Sequence, residues 1–171
     1  LNPIPQVSME TNPDDLVADQ LKILRDAGVN RLSVGVQSLE DKLLHEMERQ
    51  EKYGNSAEIR ERLAMTQGIF DTLNVDLIFN LPHQSLDSVM RDVDILTREI
   101  EVDQISCYPL MGATTTTLRM KREMGNVTYN RERVFYEAIL DRLPEAYQPS
   151  SAWCFSKHQS LIDEYIIEQE Q

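Results

Sequence analysis

Three side chains able to bind a small polar ligand stand within or at the ends of strand-like segments. Glu10 lies in a short β-prone segment, Gln37 lies near the end of a second one at residues 30–38, and Asp76 interrupts a third, otherwise apolar one. A carboxylate can accept hydrogen bonds from both hydroxyls of a ribose, and an amide can both donate to and accept from an amino-acid group. The set therefore suits a ligand that carries a nucleoside. Spacing alone leaves a second interpretation equally open, in which these groups only satisfy backbone donors at strand ends.

The strand-like segments alternate with helical patterns. Asn12 followed by Pro13 predicts a helix that begins near Pro13 and ends at Gly28, where a left-handed residue is needed. The inward stripe predicted for this helix consists of Val17, Leu21 and Leu24. A strand then covers residues 31–37, in which Gly35 allows the close approach of a ligand or of another backbone.

Two further helices separate the later strands. Asn55 or Ser56 can cap the first of them, and Ser85 can cap the second. Their predicted inward residues are Ile59, Leu63 and Phe70 for the first helix, and Leu86, Val89, Val93, Leu96 and Ile100 for the second. The apolar run at residues 74–82 predicts a strand buried by helices on both faces. A fourth strand is predicted at residues 104–110. It brings Tyr108 towards the end of the strands that carries Glu10, Gln37 and Asp76.

Three crossovers in sequence, each with a helical pattern, predict an α/β fold with a parallel sheet and outer helices. A complete eight-stranded barrel needs about 200 residues or more, whereas this chain has 171. We therefore expect a partial parallel (β/α) barrel at residues 1–111. Residues 112–171 are expected to form a small α+β region, with helices at residues 118–124 and 130–143 and antiparallel strands at residues 147–156 and 162–167.

The bulk properties exclude some partners. A net charge of −12 disfavours nucleic acid and anionic membrane surfaces, because both would repel the chain. Neither a run of about 18 apolar residues nor a signal-peptide pattern is present in the sequence, so a soluble, cytoplasmic protein is expected. The two cysteines, Cys107 and Cys154, lie on separate segments, which fits a reducing compartment, and they cannot form a metal site by themselves.

Three stretches resemble, in order and spacing, the middle barrel strands of radical S-adenosylmethionine (SAM) enzymes of the oxygen-independent coproporphyrinogen III oxidase-like family. They are Glu10-Thr11-Asn12-Pro13, Asn30-Arg31-Leu32-Ser33-Val34-Gly35-Val36-Gln37-Ser38 and Asn74-Val75-Asp76-Leu77-Ile78-Phe79-Asn80-Leu81-Pro82-His83-Gln84. The resemblance covers about residues 7 to 110 and implies a radical SAM barrel of which this chain holds the third to sixth strands. It also implies that Glu10, Gln37, Arg49 and Asp76 contact SAM.

The same resemblance implies a [4Fe-4S] cluster, yet the C-x-x-x-C-x-x-C loop that holds it in the family does not occur here. Thiolates are needed to hold such a cluster, and Cys107 and Cys154 cannot replace that loop. Its ligands are therefore expected outside this chain. The start at Leu1 favours a piece of a longer enzyme over a non-catalytic remnant.

The C-terminal stretches Ser150-Ser151-Ala152-Trp153-Cys154-Phe155-Ser156-Lys157 and Ile162-Asp163-Glu164-Tyr165-Ile166 resemble the heme-utilisation branch of the family. That branch implies anaerobic opening of heme with methyl transfer, as in anaerobilin synthase, and an electron donor such as flavodoxin or ferredoxin. Cys154 could then donate a hydrogen atom or lie against the porphyrin, although a buried structural cysteine is the plainer interpretation. The alternatives are oxidative decarboxylation of coproporphyrinogen III and a heme-binding chaperone without turnover. His83 and His158 could ligate heme iron, although single histidines near loops are usually only solvated.

Overall fold

The computed structural model describes residues 6–110 and 129–157, with only the backbone of Tyr129. Within these ranges an open six-stranded sheet has the strand order β1-β2-β3-β4-β6-β5. The strands are β1 (Ser8–Thr11), β2 (Arg31–Gln37), β3 (Thr72–Phe79), β4 (Gln104–Pro109), β5 (Gln148–Pro149) and β6 (Cys154–Ser156). β1 to β4 are parallel, which confirms the predicted α/β class, and the sheet does not close.

Six α-helices accompany this sheet in the described ranges. They are α1 (Ala18–Asp26), α2 (Asp41–Glu46), α3 (Gln50–Tyr53), α4 (Ser56–Thr66), α5 (Leu86–Asp94) and α6 (Tyr129–Arg142). A 3₁₀ turn at Pro13–Asp15 precedes α1, and a π-helical turn at Ile95–Glu99 follows α5. None of the described helices is long and apolar enough to cross a membrane.

Local capping chemistry sets several helix ends as predicted. Asn55 Oδ1 accepts a hydrogen bond from Glu58 N at 3.0 Å, and Ser85 Oγ accepts one from Ser88 N at 3.1 Å. These bonds satisfy backbone donors that the first turn of a helix leaves unpaired. Gly28 has φ +91°, a conformation that glycine adopts without strain, and it follows the end of α1.

The predicted helix from Pro13 to Gly28 is wrong at its start. Only a single 3₁₀ turn forms at Pro13, and α1 begins at Ala18. Leu16, which is 1% exposed, packs inward between the two, so Val17 turns outward and is 44% exposed.

Two other predicted inward residues also deviate. Leu86, the first residue of α5, is 37% exposed. Phe70 is buried as expected, but it lies beyond the end of α4, since Gly68 turns the chain with φ +75°.

The sheet has one apolar and one polar face. Side chains of the apolar face form a single cluster with those of the helices; it includes Val34, Val75, Leu77, Ile105, Phe155, Leu21, Ile59, Leu63, Val89, Val93 and Ile139. The opposite face carries Ser33 on β2, Asn74 and Asp76 on β3, and Gln104 and Ser106 on β4, which are paired in register. The prediction that helices bury β3 on both faces is therefore wrong. Alternate residues of β3 face a polar interior, as period-two geometry requires.

The described C-terminal residues extend the same sheet. β6 pairs antiparallel with β4, so that Cys154 lies opposite Ser106 and Ser156 lies opposite Gln104. The predicted strand at residues 147–156 is divided into β5 and β6 by the turn at residues 150–153. The predicted helix at residues 118–124 and strand at residues 162–167 lie outside the described residues. The boundary at residue 111 stays a prediction.

Candidate functional site

A cavity of about 540 Å³ opens at the carboxyl ends of the parallel strands. Its carboxylate and amide groups come from Glu10 on β1, Gln37 on β2 and Asp76 on β3. The remaining lining consists of Ile78, Tyr108, Pro109, Leu110, Ser151 and Trp153. The structure thus brings together three of the four side chains that the sequence singled out. This volume is typical of a site for a small organic ligand.

Gln37 reaches the cavity through an irregular strand end. Gly35 pairs with Asp76, but Gln37 pairs with Leu77, so β2 slips against β3 by one residue. Gln37 also has φ +74°, which is uncommon for a residue other than glycine. Bulges of this kind redirect a side chain at the end of a strand.

Asp76 is held by neighbours on the polar face. Its Oδ2 accepts a hydrogen bond from Ser33 Oγ at 2.9 Å, and its Oδ1 accepts one from Asn74 Nδ2 at 2.8 Å. Burial raises the pKa of this carboxyl, while the hydrogen bonds from Ser33 and Asn74 oppose that rise. The carboxylate is therefore fixed in orientation before any ligand binds.

Glu10 has a more open environment. It lies on the short strand β1 opposite Ser33, and its side chain is exposed. β1 is followed directly by the turn at Pro13, where Thr11 Oγ1 donates to Asp15 Oδ2 at 2.8 Å. This turn ends β1, and the pairing of Glu10 with Ser33 places the Glu10 carboxylate on the polar face of the sheet.

Arg49, the fourth predicted side chain, is not part of the cavity lining. Its Nη2 donates to the carbonyl of Gly35 at 2.5 Å and to Asn12 Oδ1 at 3.4 Å, and its guanidinium lies 4.2 Å from the ring centroid of Tyr53. Its Nε is buried and has no hydrogen-bond partner within the described residues. Burial lowers the pKa of this guanidinium. Arg49 thus stands beside the strand end that carries Gln37, and its buried Nε has no hydrogen-bond partner within the described residues.

Cys154 is fully buried on the polar face, where its Sγ lies 3.5 Å from Ser106 Oγ. It does not line the cavity, although its neighbour Trp153 does. Cys107 faces the apolar cluster on the other side of the sheet, and burial raises the pKa of its thiol. The described residues contain no group of three potential metal-ligating side chains, so they do not fit a [4Fe-4S] cluster.

Of the two candidate heme ligands, only His83 can be placed. Its Nδ1 lies 3.2 Å from both carboxylate oxygens of Glu46, in an exposed position away from the cavity lining. His158 lies outside the described residues.

Sequence reasoning missed two features of the site. Arg31 is 2% exposed and donates through Nε and Nη2 to Gln104 Oε1, at 3.0 and 2.7 Å. Gln104 Nε2 in turn donates to Ser156 Oγ at 2.7 Å, so a polar layer continues below Asp76. The alternation of polar residues in the sequences of three successive strands could have predicted this polar layer.

The second missed feature is the aromatic wall of the cavity. The Trp153 ring lies 5.1 Å from that of Tyr136 and 6.1 Å from that of Phe79, between ring centroids. Tyr136 Oη donates to the carbonyl of Ala152 at 2.6 Å, which fixes the turn before β6. No local pattern marks Trp153, because this wall depends on α6 packing against β3.

Relatives with curated names include a heme chaperone, HemW, from Bacillus subtilis, which is 33% identical over 141 residues, covering 81% of this chain and 36% of the relative. HemW from Mycobacterium tuberculosis is 31% identical over 160 residues, covering 90% of this chain and 40% of the relative. An oxygen-independent coproporphyrinogen III oxidase from Synechocystis is 30% identical over 103 residues, covering 60% and 22%. The chain thus spans about two fifths or less of the length of these relatives.

Among solved structures, coproporphyrinogen III oxidase HemN from Escherichia coli matches with a TM-score of 0.75 and 24% identity, covering 89% of this chain and 35% of that one. This likeness concerns the fold. The sequence profile of the radical SAM superfamily matches residues 1–96, more than half of the chain. Proteins of that superfamily use SAM and a [4Fe-4S] cluster. The chain therefore belongs to the radical SAM superfamily.

Proposed function

We propose that the cavity binds SAM and that the protein is a radical SAM enzyme acting on a tetrapyrrole. The observation that carries this proposal is the convergence of Glu10, Gln37 and Asp76 on one cavity at the ends of three adjacent parallel strands. In α/β barrels this end of the strands carries the ligand site. The SAM sulfonium, when bound, supplies the bond whose cleavage defines the chemistry of the superfamily.

Each side chain has a role that suits SAM. The exposed Glu10 carboxylate can accept both ribose hydroxyls, because each of its oxygens has free lone pairs. Gln37 serves the amino-acid end of SAM. Arg49 serves the same end once its guanidinium turns from the Gly35 carbonyl towards the cavity, since in the described arrangement it does not line that cavity. Asp76 is oriented by Ser33 and Asn74. It supplies a second carboxylate acceptor, on the side of Gln37 opposite to Glu10.

Residues outside this chain are proposed to hold the [4Fe-4S] cluster, and flavodoxin or ferredoxin is proposed to reduce it. The role proposed for Cys154 is limited by its position. Because the thiol is buried beside Ser106 and does not line the cavity, it can donate a hydrogen atom to a ligand there only after a local rearrangement.

For the tetrapyrrole we propose heme, with ring opening and methyl transfer as the reaction. One observation supports a planar macrocycle: the aromatic side chains of Tyr108 and Trp153 line the cavity. Aromatic faces stack on planar ligands. The names of the relatives, heme chaperone and oxygen-independent coproporphyrinogen III oxidase, add heme and coproporphyrinogen III as candidate tetrapyrroles.

A second candidate function is that of a heme chaperone, which the HemW relatives favour. A third is decarboxylation of coproporphyrinogen III, which the Synechocystis relative favours. Anaerobic incubation of the reduced, intact protein with SAM and each tetrapyrrole separates the three. Ring opening gives a methylated linear product, decarboxylation releases CO₂, and a chaperone binds heme while the tetrapyrrole stays unchanged.

The SAM site itself is tested by substitution in the intact protein. Asp76→Ala and Gln37→Ala should each abolish or strongly reduce cleavage of SAM while the iron content stays unchanged. Asp71→Ala is a matched control, because Asp71 is exposed and precedes the opposite end of β3. Cleavage at the wild-type rate in both site variants would overturn the assignment.

A further inference from the structure

A buried carboxylate lies on α5, outside the cavity lining. Asp92 is 2% exposed and, with Arg31, is one of the buried charged side chains in the described part of the chain. It shares a helix face with Val89 and Leu96, both of which pack into the apolar cluster. A carboxylate loses its hydration when it is buried among such residues. Hydrogen bonds within the protein must replace that hydration, whereas an apolar side chain would need none.

The hydrogen bonds of Asp92 go to the segment after β2. Its Oδ2 accepts from Ser38 Oγ at 2.8 Å and from Leu39 N at 3.1 Å. Ser38 Oγ also accepts from Glu40 N at 3.1 Å. A single carboxylate oxygen thus fixes two consecutive residues that lie more than 50 positions away in the chain, and the bound hydroxyl extends this order to a third.

These residues directly follow Gln37, the irregular end of β2. Gln37 has φ +74° and lies where the register against β3 slips. A residue with this strained backbone conformation persists only when the surrounding structure holds it in place. The parallel ladder holds the residues before Gln37, and Asp92 holds the residues after it.

We infer that Asp92 is a positioning residue, which aims the Gln37 amide into the cavity through Ser38 and Leu39. The inference rests on the proposed function, in which that amide contacts SAM. Asp92 does not line the cavity, so its effect on the ligand passes through the backbone of the segment that it anchors.

The test measures SAM affinity of the intact protein by isothermal titration calorimetry. Asp92→Ala leaves the Ser38 hydroxyl and the Leu39 N–H without their acceptor, and SAM affinity should fall about tenfold. Asp92→Asn keeps a carbonyl oxygen that can accept both bonds, so its affinity should stay within about threefold of wild type. Asp87→Ala, an exposed position on the same helix, should leave affinity unchanged. Equal affinities of the Ala and wild-type proteins would overturn the inference.

A double-mutant cycle separates positioning from general destabilisation. If Asp92 acts through Gln37, Asp92→Ala should cost little further affinity once Gln37→Ala is present. An equal loss in both backgrounds would overturn the inference while leaving the SAM site intact. If Gln37→Ala alone left affinity unchanged, the proposed role of Gln37 would fail, and the inference with it.

A milder variant covers the case in which Asp92→Ala does not fold. Ser38→Ala removes one of the two donors and should weaken SAM binding about threefold, again only when Gln37 is present. Wild-type affinity in this variant would count against the inference in the same way.

Discussion

The Nε2 atom of Gln37 lies 3.0 Å from the point at which a Cβ on Gly35 would stand. The Gln37 side chain therefore folds back over a residue that has no side chain of its own. The next nearest atoms to that point, Thr11 O at 3.7 Å and Asn12 Oδ1 at 3.9 Å, are in ordinary contact distance. Gly35 thus matters to the cavity because it leaves room for one particular amide.

Gly35→Ala should weaken SAM binding about tenfold with little loss of stability. The new methyl group meets only the flexible end of Gln37, so the amide must move while the sheet stays in place. Calorimetric titration with SAM, together with a denaturant unfolding curve, measures both effects. Gly28→Ala provides the converse control. It strains a backbone with φ +91° and should lower the free energy of unfolding by about 1 kcal/mol without changing SAM affinity. Unchanged affinity in Gly35→Ala would contradict the prediction.

Ser33→Ala should make SAM binding more sensitive to acid. Burial already raises the pKa of the Asp76 carboxyl, and the Ser33 hydroxyl is one of the groups that oppose this rise. Without that hydrogen bond the pKa of Asp76 rises further, so the carboxylate is protonated at a higher pH. A pH series of SAM affinities should show the acidic loss of binding shifted upward in the variant. Ser8→Ala, on the same face at the start of β1, is the control in which no shift is expected.

The stability of the protein should fall as the pH rises through the titration of Asp92. Burial raises the pKa of this carboxyl to about 6, against opposing hydrogen bonds from Leu39 and Ser38; the charge of Glu40 adds to the rise and that of Arg91 reduces it.

Because the folded state holds a proton that the unfolded state has released, the free energy of unfolding decreases between about pH 4 and pH 6. A shift of about two pKa units corresponds to about 3 kcal/mol. Denaturant unfolding of wild type and Asp92→Asn across this pH range measures the contribution of Asp92, because an asparagine at position 92 does not titrate. Parallel pH curves for the two proteins would contradict the prediction.

Arg131→Ala should destabilise the turn after β3. The Arg131 guanidinium, on α6, donates to Asn80 Oδ1 at 3.0 Å, to the carbonyl of Leu81 at 2.9 Å and to the carbonyl of Gln84. Removing these donors should lower the free energy of unfolding by about 2 kcal/mol. Arg133→Ala on the same helix removes only an exposed pair with Glu137 and should change the free energy of unfolding far less. Chemical denaturation of both variants provides the comparison, and equal losses would refute the role given to Arg131.

The strand ends could be predicted from the sequence because local rules determine them. Gln37 and Asp76 belong to segments whose composition indicates parallel strands, and the carboxyl ends of such strands converge. The left-handed backbone of Gln37 could not be predicted in this way, because it depends on a register slip against β3.

Residues whose role depends on distant partners were not recognised. Asp92 fits a helical pattern as an ordinary polar residue, and only the packing of α5 against the end of β2 brings it to Ser38. Trp153 likewise becomes part of the cavity only because α6 holds its turn. The prediction of where the first helix begins was wrong for the opposite reason. Its capping signal at Asn12 was read correctly, but burial of Leu16 interrupts the turn that this signal starts.

Trp153 is the single tryptophan among these 171 residues, and it stands on the wall of the cavity. Its indole emission therefore reports on one place in this chain. A porphyrin stacked against it would quench that emission by energy transfer, whereas a ligand confined to the polar side near Glu10 would leave it nearly unchanged. The wall thus provides an optical signal that distinguishes the two kinds of ligand in a single titration, without a label.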